Sequence, residues 1–135
     1  MKISFQVAGL PPKKDGANSM WCKGSEFERL KALRIAAIQA MGDSPIITQS
    51  IQLSLVLYAS PSKGDLDNFI TGICDGLMAA HSQSPIDLAL WKDVPERAKP
   101  QQAICFRDDK QISRISAERF PPVKGDQGYI IVLEW

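Results

Sequence analysis

The sequence predicts one α+β domain spanning 1–135, a mixed β-sheet with two main helices packed on it in the order β-α-β-α-β-β-β. Three observations predict it. Residues 2–8 and 49–59 alternate between apolar and polar, the period of a half-buried strand. Two further stretches, 25–41 and 65–81, place apolar side chains at helical spacing. The length, 135 residues, suits a single domain with a sizeable core. No internal repeat or second domain is visible.

The elements follow in order. Ile3, Phe5 and Val7 form one face of the first strand. Gly9 to Gly24 is a loop, longer and more polar than a simple connection needs. In it Lys13 and Lys14 are candidates for phosphate contacts, and Trp21 is read as folded onto the core. Ser25 and Glu28 have the spacing of a capping box. Phe27, Leu30, Leu33, Ala37 and Met41 then mark a helix that Gly42 stops. The next strand carries Ile51, Leu53, Leu55 and Leu57 on its buried face and is expected to be central. The second helix is expected to run from Asp65 or Asp67 to Ala80 or His81. Pro85, Pro95 and Pro100 interrupt the segment 82–103, in which Ile86 to Trp91 has room for one or two helical turns. A short strand is expected at 104–107, a β-like run at 111–120, a loop at 121–128 and a final strand at 129–135.

Composition excludes more than it suggests. Apolar residues make up 44% of the chain and charged residues 23%, ordinary for a globular protein. The formal net charge is +1, so a nucleic-acid footprint must be local. No apolar run reaches the roughly 18 residues of a membrane helix, and no leader is seen, so no membrane partner and a cytoplasmic location are expected. Cys22, Cys74 and Cys105 are odd in number and lack the spacing of a disulfide framework or zinc site. His81, the one histidine, reads as a surface or helix-end residue.

The chemistry concentrates between Gly64 and Leu77. Three carboxylates and one amide, Asp65, Asp67, Asn68 and Asp75, fall within eleven residues. Wound as a helix, Leu66, Phe69, Ile70, Ile73 and Leu77 gather on one side. Asp67, Thr71 and Asp75 form a separate stripe at i, i+4 and i+8. Further on, Asp108 and Asp109 are adjacent beside a β-like run. Carboxylates drawn together repel at short range, and a hard cation with oxygen ligands relieves that repulsion. Helix capping and turn chemistry explain each piece taken singly. A calcium loop fails, because its sixth and twelfth positions counted from Asp65 hold Ile70 and Gly76.

Taken jointly, Asp65-x-Asp67-Asn68, Asp75 and Asp108-Asp109-x-Gln111-Ile112 resemble the RusA family of Holliday-junction resolvases. Gly9-Leu10-Pro11-Pro12 followed by Asn18 looks like the family's loop after its first strand. Relative to the family pattern, 82–103 is an insertion packed on the edge through Trp91, or a substrate or partner contact. The family's lysine slot holds Thr71, which hydrogen-bonds but carries no charge; Lys63, Lys92 and Lys110 are the replacements considered.

The resemblance implies a metal-dependent, structure-specific endodeoxyribonuclease that makes paired cuts in four-way DNA as a homodimer in recombination and repair. Asp65, Asp67 and Asp109 would ligate Mg²⁺ or Mn²⁺, making them catalytic together with Asp75. Asn68, Thr71 and Asp108 would support them. Lys13, Lys14, Lys63 and Lys110 would meet the DNA backbone. Thr71 motivates the alternative, a junction- or branched-DNA-binding protein with impaired cleavage. A phosphoesterase acting on a smaller substrate is a third reading, and no nucleotide-binding loop accompanies it.

Overall fold

The computed structural model describes residues 1–14, 19–22 and 24–135. Its strands are β1 (Lys2–Ala8), β2 (Ile51–Tyr58), β3 (Ile112–Phe120) and β4 (Gly128–Glu134). They form one sheet in the order β1-β4-β2-β3. β4 lies antiparallel to both β1 and β2, and β3 lies parallel to β2, so the sheet is mixed as expected. β2 is interior because its alternate residues Ile51, Leu53, Leu55 and Leu57 are all fully buried. Together with Phe5, Val7, Tyr129, Ile131 and Leu133 they make the face that the helices cover.

α1 (Gly24–Met41) buries Leu30, Leu33, Ala37 and Met41, the predicted stripe. It begins at Gly24, one residue before the Ser25 expected to open it. Glu26 is the residue turned inward. Its carboxylate accepts the Lys13 backbone N–H at 3.0 Å and pairs with Arg29 at 3.2 Å. Gly42, at φ 55°, ends the helix as expected.

α2 (Leu66–Gly76) buries Phe69 and Ile73 in the main core. It stops short of the 80–81 expected from sequence. Its terminal carbonyls find other donors: Leu77 accepts the N–H groups of Ile104 and Cys105 at 3.1 and 3.0 Å. Gly76 and Met78 accept the Arg34 guanidinium at 2.7 and 2.8 Å. Acceptors satisfied by tertiary partners remove the reason for another helical turn.

The segment 82–103 packs against α1 around a second core of Met20, Trp21, Leu30, Trp91, Val94 and Ala98. It contains α3 (Leu88–Trp91) and a 3-10 turn, Glu96–Ala98. Trp91 anchors it, with its indole N–H donating to the Trp21 carbonyl at 2.8 Å and its ring edge-on to Phe27. Arg34, completely buried, donates to five carbonyls: Gly76, Met78, Ala98, Lys99 and Gln102.

The strand expected at 104–107 is a single bridge between Phe106 and Ile47. The ladder does not extend, because the Gln111 side chain takes the carbonyls of Ile47 and Gln49 at 2.8 and 3.2 Å. β3 forms one edge of the sheet, and most of its residues are exposed. No helix among the described residues is long and apolar enough to cross a membrane.

Candidate functional site: acids at the two ends of the second helix

The chain reaches α2 through a 3-10 turn, Pro61–Lys63, and Gly64, whose φ of 149° favours glycine. Asp65 occupies the N-cap position with extended backbone, yet its side chain makes no capping bond. A carboxylate placed to cap but not capping keeps its lone pairs for another partner. Asp67 follows in the first turn, exposed, with Asn68 exposed beside it. Among the described residues neither acid lies within 4.0 Å of a cationic nitrogen. Thr71 spends its hydroxyl on the helix, donating to the Asp67 carbonyl at 3.0 Å.

Cations gather around Gly64. Arg119 donates from Nη2 to the Gly64 carbonyl at 2.6 Å. The Lys13 stem runs along α2. Its Cα would lie 3.2 Å from a Cβ at Gly72, and its Cδ 3.5 Å from one at Gly64. The residue that brings it there is Gly72, where the Pro12 backbone crosses the helix in direct contact. Lys63 is exposed in the preceding turn.

The other end of α2 holds Asp75, half-buried and paired with Lys14 at 3.3 Å. Asp75, Asp108 and Asp109 line one cavity of about 630 Å³ between α2, the turn before β3 and the 81–85 loop. The proximity has a chemical signature. The Cys74 thiol is pushed up to about 12, first by burial and then by the charges of Asp75 and Asp109.

The adjacent acids do different work. Asp108 caps the 3-10 turn Asp109–Gln111, accepting the Lys110 N–H at 2.9 Å. That bond holds its carboxyl below the usual carboxylate range. Gln111 completes the box by accepting the N–H groups of Arg107 and Asp108, both at 3.1 Å. Asp108 and Gln111 thus fix the turn by their side chains, and Asp109 is exposed beside them.

The structure therefore joins Asp75, Asp108 and Asp109 and leaves Asp65 and Asp67 apart from them. Ten residues of helix separate Asp65 from Asp75, about 15 Å along the axis. Among the described residues, no three Asp, Glu, His or Cys side chains gather closely enough to hold a metal ion. Lys110 stands next to the second acid group, Lys63 next to the first, and Lys92 is exposed on the inserted segment. Asn18 lies outside the described residues. Trp21, only 4% exposed, packs between Trp91 and Arg34 and is closed to a base. His81 is exposed on the cavity wall, its Nδ1 accepting the Gln83 N–H at 3.1 Å.

Two participants escaped the sequence reading. Arg119 had a signal: it shares strand parity with Ile115 and Ala117, and so is aimed at the helix-covered face. Glu26 had none, because the capping pattern pointed to its neighbours. The acids at both ends offer carboxylate oxygen, the donor that a hard divalent cation takes. Comparison with protein-family models and with curated proteins finds no match.

Proposed function

We propose that the chain is a divalent-metal-dependent endodeoxyribonuclease that cuts four-way DNA junctions as a homodimer. The observation that carries the reading is Asp65, a carboxylate at a helix N-cap that makes no capping bond, next to Asp67, which has no ion pair among the described residues. Carboxylates at the surface of an ordered helix end are oxygen donors for a hard cation. Such an ion supplies charge neutralisation and a more acidic bound water for phosphodiester hydrolysis. Asp65 and Asp67 would hold it, joined by Asp109.

One chain does not bring these acids together, and a two-fold pairing supplies the missing half. β3 is an open edge with Ile115 47% and Phe120 42% exposed. Asp108 and Asp109 precede the start of β3, whereas Arg119 near its end is bonded to Gly64, beside Asp65. Antiparallel pairing of two β3 strands around a two-fold axis sets the start of one against the end of the other. Asp109 of each protomer then comes beside the Asp65–Asp67 end of its partner. Two such sites on one axis match the paired cuts that a two-fold junction requires.

Complementation tests this. Asp67→Asn and Asp109→Asn are each expected to abolish nicking of a four-way junction in Mg²⁺ or Mn²⁺. Mixed at equal concentration and allowed to exchange, they recover roughly a quarter of wild-type nicking. Half the dimers are then mixed, each with one intact site. Recovery of no activity, with exchange verified, excludes a shared site. No nicking by the wild type excludes the nuclease.

One observation favours a second reading, binding without efficient cleavage. The Thr71 hydroxyl is committed to the Asp67 carbonyl and offers nothing to substrate. Tight junction binding in EDTA with no turnover in either metal selects it.

A further inference from the structure

We infer that Arg119 and Lys13 together form a seat for a backbone phosphate of the DNA, centred on Gly64. The inference rests on the nuclease reading for its substrate and stands on a different observation, the contrast between two arginines. Arg34 is fully buried, and its guanidinium nitrogens donate to five carbonyls. Its interaction capacity is spent inside the protein. Arg119 is half-buried and makes one described hydrogen bond, from Nη2 to Gly64. Its Nε is out of contact with solvent and has no acceptor among the described residues. A guanidinium carries five N–H donors, and withdrawing them from water without replacement is costly. The Nη donors left over from the Gly64 bond suit an anion with several oxygens that lies beside this turn.

The neighbours agree on the sign of that ligand. Lys13 lies along α2 with its Cδ beside the same glycine, and the Pro12–Gly72 crossing and the Glu26 bond to its backbone fix its path. Lys63 is exposed in the adjoining turn. Lys14, by contrast, is engaged with Asp75 at the far end of the helix and is not part of the seat. The N-terminus of α2 adds its partial positive charge. Asp65 and Asp67 stand at the rim, so a phosphodiester held by Lys13 and Arg119 presents its oxygens to the carboxylates that would carry the metal.

The test is the salt dependence of binding to a labelled four-way junction, measured in EDTA by fluorescence anisotropy. Each lost phosphate contact lowers the slope of log K against log salt by about 0.9 and weakens binding roughly eightfold at 0.1 M salt. Lys13→Met keeps the stem that packs on α2, and Arg119→Gln keeps a donor for Gly64. Each is expected to lose one contact per protomer, two for the bound dimer, and the double variant twice that number. Lys2→Met, on the opposite edge of the sheet, is expected to lose none. Unchanged slopes in both single variants overturn the seat, as does the absence of junction binding by the wild type. Should Arg119→Gln fail to fold by circular dichroism, Lys13→Met alone decides. A wild type that binds but does not cut disproves the nuclease, while the slopes still judge the seat.

Discussion

The Pro12 main chain lies directly on Gly72, with no room between them for a side chain. A Cβ at Gly72 would overlap the Pro12 carbonyl oxygen and come within 2.7 Å of its carbon. This contact sets the path of the lysines that follow, Lys13 toward Gly64 and Lys14 toward Asp75. Gly72→Ala is therefore expected to cost about 1–3 kcal/mol or more, the range for overpacking. Gly24→Ala, where a Cβ meets nothing, should leave stability unchanged or raise it by up to about 1 kcal/mol. Urea unfolding of the two variants checks the contrast.

Arg34 holds the inserted segment to the end of α2. Burial lowers it to about 9, still charged at neutral pH, where five carbonyls stand in for lost water. Arg34→Met should cost about 3–5 kcal/mol by orphaning those carbonyls. Arg34→Lys should not restore the loss, since an ammonium has three donors for five acceptors. Chemical denaturation with tryptophan fluorescence reads both.

The adjacent acids should separate by role. Asp109→Asn is expected to reduce junction cleavage by about 100-fold or more, the scale of losing one electrostatic group in a reacting site. Asp108→Asn should retain most activity, because asparagine caps a turn as aspartate does. Equal losses in single-turnover cleavage would contradict the division.

The open edge gives a prediction about assembly. Ile115→Lys places a charge on the exposed strand and should shift a dimer toward monomer in sedimentation, with its circular dichroism unchanged. Nicking should fall in parallel.

Alkali should unfold the protein early. Burial raises the thiols of Cys74 and Cys105 to about 12 and pushes Tyr129 up as well. A raised folded value means that the native state keeps protons that the unfolded chain releases. The stabilisation is full below about pH 9 and is lost as pH rises toward 12. Each thiol contributes at most about 1.4 kcal/mol per pH unit in that window. Arg34, with its lowered value, opposes the trend. Guanidinium unfolding at pH 8 and pH 10.5 should show the net decline. At pH 8, Cys22, half exposed, should react with a thiol reagent well before the other two.

Local periodicity determined the four strands, the two main helices and their inward residues, because burial of one face leaves its period in the chain. It also placed the acids on their elements; for 82–103 the sequence offered Trp91 as an anchor or a substrate or partner contact, and Trp91 is buried against Trp21 and Phe27. Three things were decided only by tertiary contacts. α2 ends at Gly76 because Arg34 and the 104–105 backbone take its last carbonyls, partners that no local window contains. Asp108 and Asp109, alike in sequence, differ because only the Asp108 side chain caps the turn that Gln111 closes. The two acid groups stand at opposite ends of α2 because β3 runs parallel to β2. Strand direction follows from how the whole chain packs, and the order of residues along a strand carries no record of it.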